Sequence, residues 1–313
     1  MIRPPDPLLG IIYKVLAVGC FSVMNVIIKG VGQDIHTGQV VFFRGLFAFV
    51  PLAFMIHAAG GLGTLRTHHP LKHLIRSGVG TMAMLLGFTA LVLIPLVDAV
   101  AITFAATLFT TVMAALVLKE SVGIYRWSAV TVGFFGVLMM LEPSGLRLLD
   151  PGSLVGEADE TYAIGAVVAL CGAFCMAVAM ISIRSMSGTE TSASIIFYFT
   201  LTNTLVAACT LPFVWIWPTT LQWVMLIGIG VCGGVAQICL TLGYRYAQAS
   251  LLAPFDYSAM VYALVLGYLF FGEVPQTMVL GGAAVVIGAG LFIIWREQVR
   301  RARRAPNLGG MPG

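Results

Sequence analysis

Charge is what this sequence has least of. Seventeen basic and thirteen acidic residues serve a chain of 313, whereas a globular surface needs about a quarter of all residues charged. With 59% hydrophobic residues, that scarcity excludes a soluble domain and makes the chain a polytopic membrane protein. The net charge of +4 is no nucleic-acid footprint, because the basic residues lie between apolar runs and at the C-terminus. Cysteine chemistry is lacking too. All six cysteines fall inside apolar runs, and Cys171 and Cys175, though on one helix face, have no histidine or second pair nearby. They read as small packing residues, and neither a metal nor a cofactor is expected. No G-x-x-x-x-G-K-[ST] phosphate loop occurs, which excludes a P-loop ATP motor. After MIRPPDP no A-x-A-like cleavage site interrupts the apolar run to Ile28, so the first segment is expected to be a retained helix.

What is abundant is apolar length. A membrane-spanning helix needs about 20 apolar residues, and ten segments qualify: 8–28, 37–57, 73–94, 97–118, 124–142, 162–183, 194–214, 221–243, 249–271 and 275–295. The connections between them set an orientation. With the N-terminus in the cytoplasm, thirteen basic residues fall inside (among them Arg66, Arg76, Arg126, Arg245 and the run Arg300–Arg304). Only Lys29 and Arg147 then fall outside. Both termini are therefore expected to be cytoplasmic. WREQVRRARR (295–304) is expected to extend the last helix into the cytoplasm as a stop-transfer anchor.

Shifted by about 153–155 residues, the second half falls into register with the first. Cys20 and Lys29 meet Cys175 and Arg184; Ala106, Val112, Leu116 and Glu120 meet Ala259, Val265, Leu269 and Glu273. Five spans per half is an odd number, so the halves enter the membrane from opposite sides. The expected fold is an all-α membrane protein of ten transmembrane helices in two inverted-topology repeats. The first occupies 8–142 and the second 162–295, with a periplasmic linker at 143–161 and a basic tail at 296–313. Such a pair of bundles encloses a midplane site that rocking exposes to each side in turn, which favours transport.

Two blocks carry a resemblance. ALVLIPLVDAVAITFAATLFTTVMAALVLKE (90–120) and GYRYAQASLLAPFDYSAMVYALVLGYLFFGE (243–273) look like the closing blocks of EamA-type repeats, each ending on a Glu before a small-residue-rich helix. VVFFRGLFAF (40–49) resembles the Arg-bearing second helix of that family. The chain thus resembles the drug/metabolite transporter superfamily over residues 8 to 295. Where that family often has a proline midway along the fourth and ninth helices, this chain has Thr107 and Met260. The resemblance implies a carrier of the bacterial cytoplasmic membrane and not an enzyme, partnered by a small molecule and the lipid bilayer. The APFDY block is most similar to uptake carriers for S-adenosylmethionine or riboflavin. Export of amino acids, amines or drugs stays open, as does a homodimer. A membrane-embedded lipid-modifying enzyme is the reading from another class, and an accessory subunit a third.

Ionisable groups inside spans are the first site candidates, because their burial needs compensation. Asp256, with Pro254 before it, can bind a cationic group, carry a proton, cap the following helix or pair with Arg245. Arg44 is too deep to snorkel easily and is expected in the cavity or an ion pair. Lys14, a turn and a half into the first helix, is expected to snorkel to the interface or to serve the site. Asp98 reads as an N-terminal helix carboxylate. Tyr257, Gln237 and Asn25 complete the candidate contacts, with Asn203, Tyr244 and Tyr262 as further polar or aromatic groups. HHPLKH (68–73) reads as a solvated loop, and GIGVCGG (228–234) as a GxxxG packing face.

Overall fold

In lipid every backbone polar group must be satisfied within the segment, so apolar runs of this length fold as helices. The computed structural model describes residues 7–58, 60–67, 69–117, 124–141, 157–186, 190–246 and 252–304. Its regular elements are all helices, with no strand among these residues. The first repeat runs α1 (Pro7–Val31), α2 (Thr37–Ala58), α3 (Pro70–Leu93), α4 (Leu96–Thr103), α5 (Ala105–Val117) and α6 (Ile124–Leu141). The second runs α7 (Glu157–Met186), α8 (Ser192–Val214), α9 (Thr220–Tyr246), a 3-10 turn (Ala253–Tyr257), α10 (Ser258–Phe271) and α11 (Thr277–Arg304). α4 and α5 form one span, as do the 3-10 turn and α10, so the chain has ten membrane helices. Seven are long and apolar enough to cross a membrane unaided; three shorter apolar helices, within α6, α10 and α11, complete the set. α7 begins at Glu157, inside the stretch expected as a linker, and α11 carries the WREQVRRARR segment as helix to Arg304.

The packing repeats itself as the inverted register requires. α1 lies against α9 and, equivalently, α7 against α3; α2 meets its counterpart α8, and α6 meets α11. The fourth span runs through the core, with Val97, Ala101, Ile102, Ala105 and Leu108 fully buried. Outward residues such as Phe54, Phe213 and Trp217 are apolar and exposed, as a lipid-facing surface demands.

Spans four and nine are not the continuous helices that their apolar runs suggest. At Phe104 the backbone tightens: the N–H of Phe104 donates to the Ala101 carbonyl and that of Thr107 to the Phe104 carbonyl, both i to i−3. No proline or glycine marks this break; Thr103 returns its hydroxyl to the Ala99 carbonyl at 2.8 Å, a bond that competes with the helix ladder. In span nine the APFDY segment is the 3-10 turn itself, with Pro254 in its first positions. The two irregularities meet, since the Phe104 and Tyr257 rings pack edge-on with centroids 5.2 Å apart.

Small residues allow close helix approach where α9 crosses α2. A Cβ at Gly234 would lie 3.2 Å from both Cα and O of Ala48, and one at Gly230 would lie 2.9 Å from the Phe43 carbonyl. Backbone cannot yield there as a side chain would. Gly234→Ala or Gly230→Ala should lower stability by about 1–3 kcal/mol, read as a lower melting temperature in detergent. Gly288→Ala, with open space around the position, should stay within about 0.5 kcal/mol of the parent.

Candidate functional site

Buried charge in this molecule is concentrated in a few clusters, each joining distant parts of the chain. For reference, the basic end is the one at which α1 and α3 begin and α2 and α9 finish; the far end is the opposite one. Seven residues into α1 from the basic end lies Lys14, only 1% exposed. Its Nζ stands 2.6 Å from Asp256 Oδ1. Lys14 therefore does not snorkel to the interface but pairs with Asp256. The Arg245 and Tyr244 side chains lie outside the described residues. Asp256 keeps its side chain 49% exposed, so the pair is open on the Asp256 side and buried on the Lys14 side. Neither the 3-10 turn nor α10 starts on a side-chain cap. Tyr257, next in the chain, packs on Phe104, and its hydroxyl fills the space that Gly290 leaves open. Tyr262 faces α1, its hydroxyl 3.5 Å from where a Cβ on Gly19 would stand.

A second cluster lies between α2, α3 and α8. Arg44 and Arg76 are both buried, 5% and 6% exposed. Both guanidiniums face the Phe199 ring, with Cζ 5.7 Å and 4.2 Å from its centroid. Gln237 joins Arg44, Thr200, Gly233 and Gly234 around a narrow crevice. Arg76 lies inside the expected span 73–94, at its cytoplasmic end, and His73 is the last residue of the stretch read as a solvated loop; the structure carries both on α3 and buries them. His73 stands 3.3 Å from Glu190 through Nε2, and Glu190 also accepts from the Thr67 hydroxyl at 2.8 Å. His68 lies outside the described residues. Hydropathy assigns this stretch to a loop because it counts charges without their partners. The signal that would have placed it in the helix is Pro70, a favoured first helical residue.

A third cluster lies at the far end. Lys29, expected as an exposed loop residue, is 8% exposed. It donates to the carbonyls of Leu91 and Ile94 at 3.1 and 2.6 Å and stands 3.0 Å from Glu273. Glu273 in turn accepts the Leu96 N–H at 2.7 Å, a carboxylate at the first turn of α4 where helix polarity favours it. Gly272, left-handed at φ 64°, turns the chain to bring Glu273 there. Asp98, in the same first turn, accepts from the Tyr162 hydroxyl at 2.7 Å, while its other oxygen has no hydrogen-bond partner. Tyr162→Phe should leave that carboxylate with none, and the melting temperature should fall by the equivalent of about 1–3 kcal/mol.

The six candidate residues thus separate into Lys14–Asp256–Tyr257 and Arg44–Gln237, with Asn25 half-buried on α1 three turns beyond Lys14. A family model described as the EamA-like transporter family matches residues 8–142 and 163–296. The chain belongs to the EamA-like transporter family. Among relatives of this EamA-like chain is a pseudopaline exporter of Pseudomonas aeruginosa, 29% identical over 90% of this chain and 94% of that one. An S-adenosylmethionine uptake transporter of Rickettsia prowazekii is 28% identical over 92% and 93% of the two chains. A riboflavin transporter of Rhizobium johnstonii is 27% identical over 97% and 96%. A solved crystal structure superposes on 96% of this chain and 98% of its own with a TM-score of 0.63, at 18% identity. That likeness shows the fold alone. This EamA-like protein is a multi-pass membrane transporter.

Proposed function

We propose that this transporter is a secondary carrier working by alternating access, taking up a small polar or aromatic metabolite of the riboflavin or S-adenosylmethionine kind across the cytoplasmic membrane. The observation that carries this reading is an asymmetry of access. The far end is sealed by Lys29, Glu273 and the carbonyls around Ile94, whereas Asp256 near the basic end keeps half its side chain open. With the basic end in the cytoplasm, this is an inward-facing carrier closed on the outside. Asp256 and Lys14 line the entrance, where Asp256 takes up a cationic group or a coupling proton once Lys14 is released. Tyr257 stands beside them; Arg44, Gln237 and Asn25 contact the cargo deeper in.

Uptake is supported by the similarity to the S-adenosylmethionine and riboflavin transporters. Export is the second reading, supported by similarity of equal degree to a pseudopaline exporter. Radiolabelled uptake into proteoliposomes from a panel of S-adenosylmethionine, riboflavin and several amino acids tests the proposal. Saturable flux of one of the first two, trans-stimulated by unlabelled compound, is the expected result. Absence of flux for the whole panel with folded protein would remove the cargo assignment. An enzyme would lose all turnover on substituting one catalytic residue, whereas a carrier shows graded changes in affinity and flux.

A further inference from the structure

Arg44 and Arg76 are two buried cations for which the described residues supply no counter-charge. No carboxylate lies within ion-pairing distance of either guanidinium among the described residues. Glu190, at the basic end of the same helix group, is turned toward His73 and Thr67. The Phe199 ring between the two guanidiniums offers its negative face. It cannot accept their N–H groups as oxygen does, and Arg44 Nε, Arg76 Nε and Arg76 Nη1 are buried with no hydrogen-bond partner. Taking two like charges out of water without pairing them is strongly unfavourable.

Neutral polar groups in the same state lie on the same helices, and a Cβ on Gly45, next to Arg44 in the chain, would stand 3.3 Å from Asn203 Nδ2. Ser77 Oγ and Thr81 Oγ1 on α3, and both amide atoms of Asn203 on α8, are buried and unsatisfied. Buried polar side chains normally find partners, and these unsatisfied groups share α3 and α8 with Arg76 and the Phe199 ring that both guanidiniums face. Glycines keep room for the arginines. A Cβ on Gly80 would stand 3.2 Å from Arg76 Nη1 and 3.0 Å from the Phe199 ring, and one on Gly233 would stand 3.2 Å from Arg44 Nε.

We infer that Arg44 and Arg76, with Ser77, Thr81 and Asn203, form an oxyanion site that holds a carboxylate or phosphate group of the transported molecule. This rests on the carrier reading for what the anion belongs to. A guanidinium fork matches both oxyanions in bidentate fashion. Cargo bearing such a group is selected over an uncharged analogue because the uncharged one leaves both arginines unpaired.

Thermal unfolding of the purified full-length protein tests the site without any flux. Acetate, inorganic phosphate, acetamide and chloride are titrated at matched ionic strength. Acetate or phosphate, whichever group the site is built for, should raise the melting temperature saturably, by about 2–4 °C at roughly ten times its dissociation constant. Acetamide and chloride should not. Arg76→Gln and Arg44→Gln should lose the shift by themselves, while their own melting temperatures equal or exceed the parent's because a buried unpaired charge is gone. Asn203→Leu, which leaves both charges in place, should weaken the response several-fold. No oxyanion response in the parent protein beyond that to chloride would overturn the inference, as would arginine variants that melt lower yet keep the shift. Oxyanion binding without flux for any panel member would sink the carrier reading and leave the site. Flux of uncharged riboflavin with no oxyanion response would do the reverse.

Discussion

Glu273→Ala should lower stability by about 3–5 kcal/mol, the cost of leaving a buried charge without its partner. Lys29 would stay buried with only the Leu91 and Ile94 carbonyls for its ammonium, and the Leu96 N–H would lose its acceptor. The effect should appear as a large fall in melting temperature. The double variant Lys29→Met/Glu273→Met should recover much of the loss, because replacing both ions with apolar groups removes the unpaired charge. The coupling between the two substitutions is the quantity to measure. If Glu273→Ala melts like the parent protein, the pair contributes nothing and the far end is held by apolar packing.

Asp256→Asn should impair transport sharply while leaving membrane insertion intact. The two partners of this pair are not equivalent. Lys14 is 1% exposed and Asp256 49%. Removing the carboxylate takes the ion-pair partner Asp256 from a buried ammonium and should cost about 3 kcal/mol, the low end of the range for a broken buried pair because Asp256 is itself half exposed. Removing the ammonium by Lys14→Met leaves a carboxylate that can turn into solvent, so stability should change far less. Flux at the parental level in Asp256→Asn, with the protein folded, would reduce the residue to a structural role. Equal loss of stability in the two variants would show that Asp256 is drier than its exposure indicates.

The ten spans were legible because lipid leaves an apolar run of sufficient length little choice but helix, and the inverted repeat because five spans per half fixes opposite entry. Charge partners were not legible. Lys14 and Asp256 lie at opposite ends of the chain, and periodicity names a helix face without naming what meets it. Hydropathy places Lys29, His73 and Arg76 at or just beyond the ends of their spans, since it scores a charge as exposed unless its partner is known. Glu190, Glu273 and the Phe199 ring are those partners. Pro254 announced an irregularity in span nine. Its counterpart at Phe104 had no such marker, because a hydroxyl returned to a carbonyl can loosen a helix without any helix-breaking residue. Glu120, the first-half equivalent of Glu273, lies outside the described residues.

The contact between Phe104 and Tyr257 has a geometric meaning beyond packing. In the register that sets Glu120 on Glu273, Phe104 falls on Tyr257, so these two rings are each other's images under the pseudo-two-fold axis and touch across it. An axis maps such a pair onto itself. Under the proposed alternating access, in which the two halves trade conformations, Lys29 and Glu273 would part while the distance between Phe104 and Tyr257 stayed the same. The pair would be a fulcrum, blind to the state of the carrier. Probes attached there would report whether the halves are assembled, and probes at Lys29 and Glu273 would report which way they face.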